Sequence, residues 1–259
     1  QKIARITPRG EGNFNFTVNF NCAPLIPYFP AGYHRNAHGS IVVGLETPDL
    51  LAAALRALDN RPAEQSAFLQ TACQAMHHAL QYHADAVQAV IAATPLDAGW
   101  HYAGMDTSAA PSKNCTSMAE IYRLLRVPHF GASGSIEASA LLTRVFKTLD
   151  NVCAVGFSGL MLAVTEDSGL AAASRVPTFD LRALLTYSSV CGIGLDTVPV
   201  PGDTPAAKIN AVMADTAALA FRLNKPLTVR LFPVPGLKAG NSTRFESDDL
   251  CNCAVLAVA

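Results

Sequence analysis

The stretch Ser188–Asp203, SSVCGIGLDTVPVPGD, constrains this chain more than any other. It sets Cys191, Asp196 and Asp203 among three glycines and two prolines. Gly192 and Gly194 admit positive φ or close backbone approach, which a Cβ resists. Pro199 and Pro201 fix φ and drive the residues before them into extended backbone. The combination predicts a stiff, non-repetitive loop. Thr204 and Pro205 then read as the N-cap and first position of a helix. Ile209, Val212, Met213, Thr216, Ala217 and Ala220 give that helix one mostly apolar face. Two readings of the loop stand side by side. In one, Cys191 is a buried small hydrophobe and Asp203 a charge well placed near a helix N-terminus. In the other, Cys191, Asp196 and Asp203 wall a cleft into which Gly192 and Gly194 present backbone N–H groups.

The chain has 259 residues, enough for a substantial core without disulfides. Only 15% of them are charged, which suggests a largely buried chain, an oligomer, or a piece that packs on another piece. A formal net charge of −1 argues against nucleic acid or an anionic membrane as partner. Seven cysteines without regular spacing read as reduced thiols. No apolar run reaches membrane-spanning length and no signal peptide is visible, so the expected compartment is the cytoplasm. The first residue is Gln1 rather than Met, which suggests a chain without its natural beginning.

Strand-like and helix-like segments alternate along the chain, which argues for α/β architecture in one domain, residues 1–259. Phe14, Phe16, Val18 and Phe20 alternate with asparagines and a threonine, the pattern of a strand with one polar face. Cys22–His38 is a proline-rich extended loop ending in His34, Arg35 and His38, a set suited to an anionic group. Thr47 should start a short helix and Pro62–Ala93 should form a long one. His77, His78 and His83 on the long helix lack the i, i+4 spacing of a zinc pair. His101–Ser112 carries Asp106 from a strand into a turn with Ser108, the position of a site at a sheet edge. Helices are expected over Thr116–Leu125, Ile136–Leu149 and Thr178–Val190, and strands over Leu160–Val164 and Leu227–Phe232, the latter bearing Arg230.

Several familiar signatures fail. Gly156-Phe157-Ser158-Gly159 is not a nucleophile elbow, because residue 160 is Leu. Gly192-Ile193-Gly194 lacks the third glycine of a dinucleotide fingerprint. Cys251-Asn252-Cys253 is too tight for zinc.

Five stretches in series, GMDTSAAPS, FGASGSIEASALL, GFSGLMLAVTED, CGIGLDTVPVPGDTPAAKI and TVRLFPVPG, resemble the bacterial and archaeal family catalogued as domain of unknown function 711. The resemblance runs from about Tyr102 to the C-terminus and extends loosely to Ile3–His38. It implies a fold like the pyruvate formate-lyase α/β barrel, with Cys191–Asp203 as a central loop. Glycyl radical chemistry is not implied, because Arg230 is followed by Leu231-Phe232-Pro233 and no adjacent cysteine pair exists. Family members look longer at the N-terminus. The chain therefore resembles their C-terminal part, to be completed by an N-terminal fragment, a second chain or a homo-oligomer.

These observations lead to an enzyme acting on a small carboxylate- or amino-acid-like metabolite in a central pocket. Asp106, Cys191, Asp196 and Asp203 are the expected catalytic residues. His34, Arg230, Ser108, Gly192 and Gly194 would bind the ligand. Asp196 and Asp203 could hold a divalent cation, since carboxylates suit a hard ion. The alternative is a non-catalytic metabolite-binding or regulatory protein on the same frame.

Overall fold

The structure is a computed structural model that describes residues 1–35, 38–59 and 61–259. The chain opens with α1 (Lys2–Ile6) and a 3-10 segment (Pro8–Asn15) before the short strand β1 (Val18–Phe20). The alternating stretch from Phe14 is therefore strand only in its second half. Arg9 and Gly10 turn the chain with positive φ, and the Asn13 side chain is buried on the Gly10 carbonyl rather than facing water. Cys22–His38 lacks helix and strand over its described residues, with Asn36 and Ala37 outside them.

Two βαβ units follow the expected alternation. In the first, β2 (Gly39–Gly44) is followed by α2 (Pro48–Arg56), α3 (Gln65–Ala93) and β3 (Trp100–Asp106), and the two strands pair in parallel. α3 starts where the Glu64 carboxylate accepts from the Ser66 and Ala67 amides. Its buried stripe, Phe68, Leu69, Ala72, Met76, Leu80 and Ala84, keeps helical spacing. In the second unit, β4 (Gly194–Pro201), α8 (Ala206–Arg222) and β5 (Leu227–Val234) place β4 parallel to β5. β1 pairs antiparallel on the far side of β5. Short helices α4 (Met118–Leu124), α5 (Ser135–Lys147), α6 (Ser168–Ala173) and α7 (Leu181–Tyr187) lie between the units in sequence. Asp167 ties two of them together: its carboxylate accepts from the Gly169 and Leu170 amides of α6 and from the Met118 amide of α4.

The segment between α5 and α6 links the two sheets. Ala154 bridges to Met105 of β3 and Ala163 to Asp196 of β4, both in parallel. The surface so formed runs from β2 to β1 and stops there. Among the described residues no closed barrel forms, and β2 has a partner strand on one side only. What the structure supports is a mixed α/β arrangement with three- and two-stranded sheets. An aromatic cluster centred on Phe130 anchors the helical layer, with Tyr122 at 4.8 Å, Phe179 at 4.9 Å and Tyr187 at 5.6 Å, all edge-on. No helix among the described residues is long and apolar enough to cross a membrane.

The expected loop at Ser188–Asp203 is a strand over its second half, Gly194–Pro201. β4 is buried at every position but its last, Pro201. Pro199 is tolerated because its carbonyl, not its missing N–H, serves the neighbouring chain, accepting from the Leu256 amide at 2.8 Å. The irregularity is confined to a bulge between Leu195 and Val198, where Thr197 has φ 45°. Before the strand, the chain passes backbone to backbone against the 156–160 segment. A Cβ on Gly192 would stand 2.6 Å from the Gly159 Cα. Gly192→Ala is expected to cost about 1–3 kcal/mol by overpacking. Urea unfolding that leaves the variant at wild-type stability would contradict this contact.

Candidate functional site

The β4 bulge turns Asp196 out of the apolar ladder into a pocket of about 140 Å³. Its floor carries three ionisable side chains from three segments: Asp196 of β4, Arg230 of β5 and Glu166 from the turn before α6. Phe157, Met161 and Ile193 form one apolar wall, the 28–31 segment and Ala110–Pro111 the others, and Glu46 also lines it. The bulge also sets the position of Glu166. The Val164 amide donates to the Asp196 carbonyl at 3.2 Å and the Thr165 amide to Thr197 Oγ1 at 3.1 Å.

Arg230 is the hub. Its side chain is 7% exposed. Nε donates to Asp196 Oδ1 at 2.6 Å and Nη2 to Asp196 Oδ2 at 3.1 Å, a bidentate pair. Nη2 also donates to Glu166 Oε1, and Nη1 to the Phe14 carbonyl at 3.3 Å. The Phe14 ring lies 5.0 Å from the guanidinium carbon. Burial lifts the Glu166 carboxyl well above the ordinary carboxylate range; the charge of Asp196 adds to this and that of Arg230 opposes it. The guanidinium thus serves two carboxyls unequally, holding Asp196 with two bonds and Glu166 with one.

The remaining expected site residues are arranged differently from the sequence reading. Asp106 does not line the pocket. It is buried behind it, where Oδ1 accepts from the Ser108 amide and hydroxyl and the Ser158 amide, and Oδ2 from the Phe157 amide at 2.7 Å. Ser108 in turn accepts from the Gly159 amide at 2.9 Å. Asp106 and Ser108 together staple the segment that supplies Phe157 to the pocket wall. Cys191 is fully buried in the main core, and its Sγ accepts from the Gly194 amide. Neither Gly192 nor Gly194 offers a free N–H, since the Gly192 amide is used by the Leu160 carbonyl. His34 is exposed and bonded to the His38 carbonyl, away from the pocket. Asp203 is exposed beyond the far end of β4 from Asp196. Five strand residues, Thr197–Pro201, and the turn residue Gly202 lie between the two carboxylates and hold them roughly 15–20 Å apart, too far to share an ion. Both Asp196 oxygens are already engaged by Arg230. Among the described residues no group of three or more His, Cys, Asp and Glu side chains could hold a metal.

Glu166 and Glu46 were not anticipated. For Glu166 a signal was present: an acid one residue beyond the apolar run LMLAV, much as Asp106 closes an apolar strand.

Asp106, Glu166 and Asp167 all titrate above the usual range, each chiefly through burial. The folded chain therefore holds protons that the unfolded chain releases. Their stabilising contribution is complete below the ordinary carboxylate range and is lost as pH rises through the raised values. Burial lowers Lys147 and Lys225, whose contribution has the opposite sign, being lost as pH falls below the ordinary lysine value. The melting temperature is expected to fall between about pH 5 and pH 8, and less so in Glu166→Gln. A melting curve series flat or rising over that interval would refute the assignment.

The family model "Uncharacterised ACR (DUF711)" matches residues 1–247. The chain is 32% identical over 236 residues to a UPF0210 protein of Pyrobaculum arsenaticum, covering 87% of this chain and 50% of that protein. It is 30% identical over 255 residues to a UPF0210 protein of Thermoanaerobacter sp. strain X514, covering 95% and 54%. A UPF0210 protein of Methanosarcina barkeri is 29% identical over 249 residues, covering 91% and 52%. The chain spans about half the length of the curated relatives it matches.

Proposed function

The chain belongs to the uncharacterised DUF711 family, and from this premise we propose that its pocket is the active centre of an enzyme performing acid–base chemistry on a small metabolite. The observation that carries this reading is the unequal sharing of Arg230. Asp196 is fixed as the counter-charge of the guanidinium. Glu166 keeps Oε2 without a hydrogen-bond partner among the described residues, at the surface of the pocket. A carboxyl whose proton affinity is raised by burial, held beside a fixed guanidinium–carboxylate pair, is suited to give or take a proton in acid–base catalysis. In this reading Glu166 gives or takes the proton at Oε2. Asp196 keeps Arg230 in place, and Arg230 orients the Glu166 carboxyl. Phe157, Met161 and Ile193 exclude water from the reacting centre.

The test is independent of a known substrate. The purified protein is incubated in D2O with a panel of small amino and hydroxy acids and their amines, and carbon–hydrogen exchange or conversion is followed by proton NMR. At least one compound is expected to exchange or convert. Glu166→Gln should lower that rate by about a hundredfold or more with the fold retained. A variant that turns over at the wild-type rate removes Glu166 from the chemistry.

A further inference from the structure

We infer that the group this pocket recognises is an ammonium, carried on a small apolar body, and not a carboxylate or phosphate. The inference rests on the reading that the pocket is the substrate site, and it deepens that reading by naming the substrate class. It comes from a count of unused donors and acceptors. A guanidinium has five N–H groups. In Arg230 Nε is spent on Asp196, Nη2 on Asp196 and Glu166, and one Nη1 hydrogen on the Phe14 carbonyl. One N–H remains. The hydroxyl hydrogens nearby are also committed: Thr228 Oγ1 donates to the Ile193 carbonyl, Thr17 Oγ1 to the Val229 carbonyl and Tyr28 to the Leu45 carbonyl.

Unused acceptors are more numerous. Glu166 Oε2, both oxygens of Glu46 and the lone pairs of the two threonine hydroxyls have no protein donor among the described side chains. Burial keeps Glu166 protonated before a ligand enters, and it becomes an acceptor when an entering cation draws its proton off. The polar lining thus sets three carboxyls against one guanidinium that already serves two of them. An anion entering here would meet the Glu46 and Asp196 charges with only one spare guanidinium N–H and the Glu166 proton to bond, and would have to break the Arg230–Asp196 pair to find more. An ammonium has three donors and no acceptor, the complement of what the pocket leaves open. Tyr28 and Phe157 add aromatic lining of a kind that favours a cation, and Met161 and Ile193 suit a short hydrocarbon. A pocket of about 140 Å³ limits the ligand to a few heavy atoms beyond the ammonium. For an amino acid, the amine end enters and the carboxylate faces the mouth.

The experiment uses matched probes. Ethylamine and n-butylamine are titrated against the full chain beside propionate, pentanoate and inorganic phosphate, with binding read by saturation-transfer NMR and calorimetry. The amines are expected to bind saturably and the anions not. In Glu166→Gln and Glu46→Gln, each confirmed folded by its melting curve, amine affinity should fall about tenfold, the loss of one charge-assisted bond. Saturable anion binding as tight as that of the amines overturns the inference. So does amine affinity unchanged in both variants, or no binding by either series. The two readings fail separately. Glutamate-dependent amine binding without any chemistry keeps the ligand class and removes the catalytic role. Glu166-dependent turnover of a compound lacking an amine does the reverse.

Discussion

Arg230→Leu unfolds at a urea concentration well below wild type, with a loss of about 3–5 kcal/mol, the cost of breaking a buried ion pair from one side. The substitution removes the guanidinium bonded to Asp196 and Glu166 and leaves both carboxyls without it in a largely buried site. It also frees the Phe14 carbonyl and the ring beneath the guanidinium. The loss should shrink toward pH 5, where the carboxyls can be neutralised by protons in place of Arg230. The double variant Asp196→Leu/Arg230→Met should regain most of the stability, because it removes the charges together. Equilibrium unfolding of the three proteins at two pH values decides the matter. A single variant as stable as wild type would mean that the triad is solvated and that the pocket electrostatics described above do not hold.

Asp106→Ala is expected to lose a similar amount, about 3–5 kcal/mol, by a different route. Four hydrogen bonds converge on this carboxylate, three from backbone amides that have no water to turn to. Removing it strands the amides of Ser108, Phe157 and Ser158. Part of this cost is offset because the buried carboxyl itself is unfavourable as an anion, as its raised proton affinity shows. The local consequence is more diagnostic than the global one. The Phe157 and Ser158 amides should exchange with deuterium far faster than those of β5, since the staple that holds their segment is gone. Gly156 shows how closely this staple is fitted: a Cβ there would stand 2.1 Å from Asp106 Oδ2. Unchanged exchange at Phe157 would show that the neighbouring backbone, not Asp106, holds the pocket wall.

The alternation of strands and helices was legible because helical periodicity and β-branched runs are local signals. α3, α8 and β5 emerge where their apolar spacing puts them. β4 was misread for a physical reason. Proline and glycine disfavour strands on average, but a strand needs N–H donors only where a neighbour asks for them, and at Pro199 the neighbour asks for a carbonyl. The same error placed Asp196 and Asp203 in one cleft. Residues close in a loop can converge, whereas in a strand they are carried apart. Asp196 and Arg230, both expected at a site, do line one pocket, but their pairing across 34 residues was invisible, because it depends on the register between β4 and β5. Glu166 joins them through a third segment whose position is set by the Thr197 bulge, a backbone feature with no sequence signature. His34 was expected to hold an anionic group and Cys191 to wall the cleft, and the fold uses neither at the pocket: one faces water and the other fills the core.

The unmatched side of β2 has a consequence for how this molecule behaves in company. Gly39–Gly44, GSIVVG, contains neither a charge nor a proline, the two devices that usually discourage strand growth. An extended peptide laid alongside it would find donors and acceptors already spaced for bonding. At high concentration, these six residues are where one copy would begin to stick to the next.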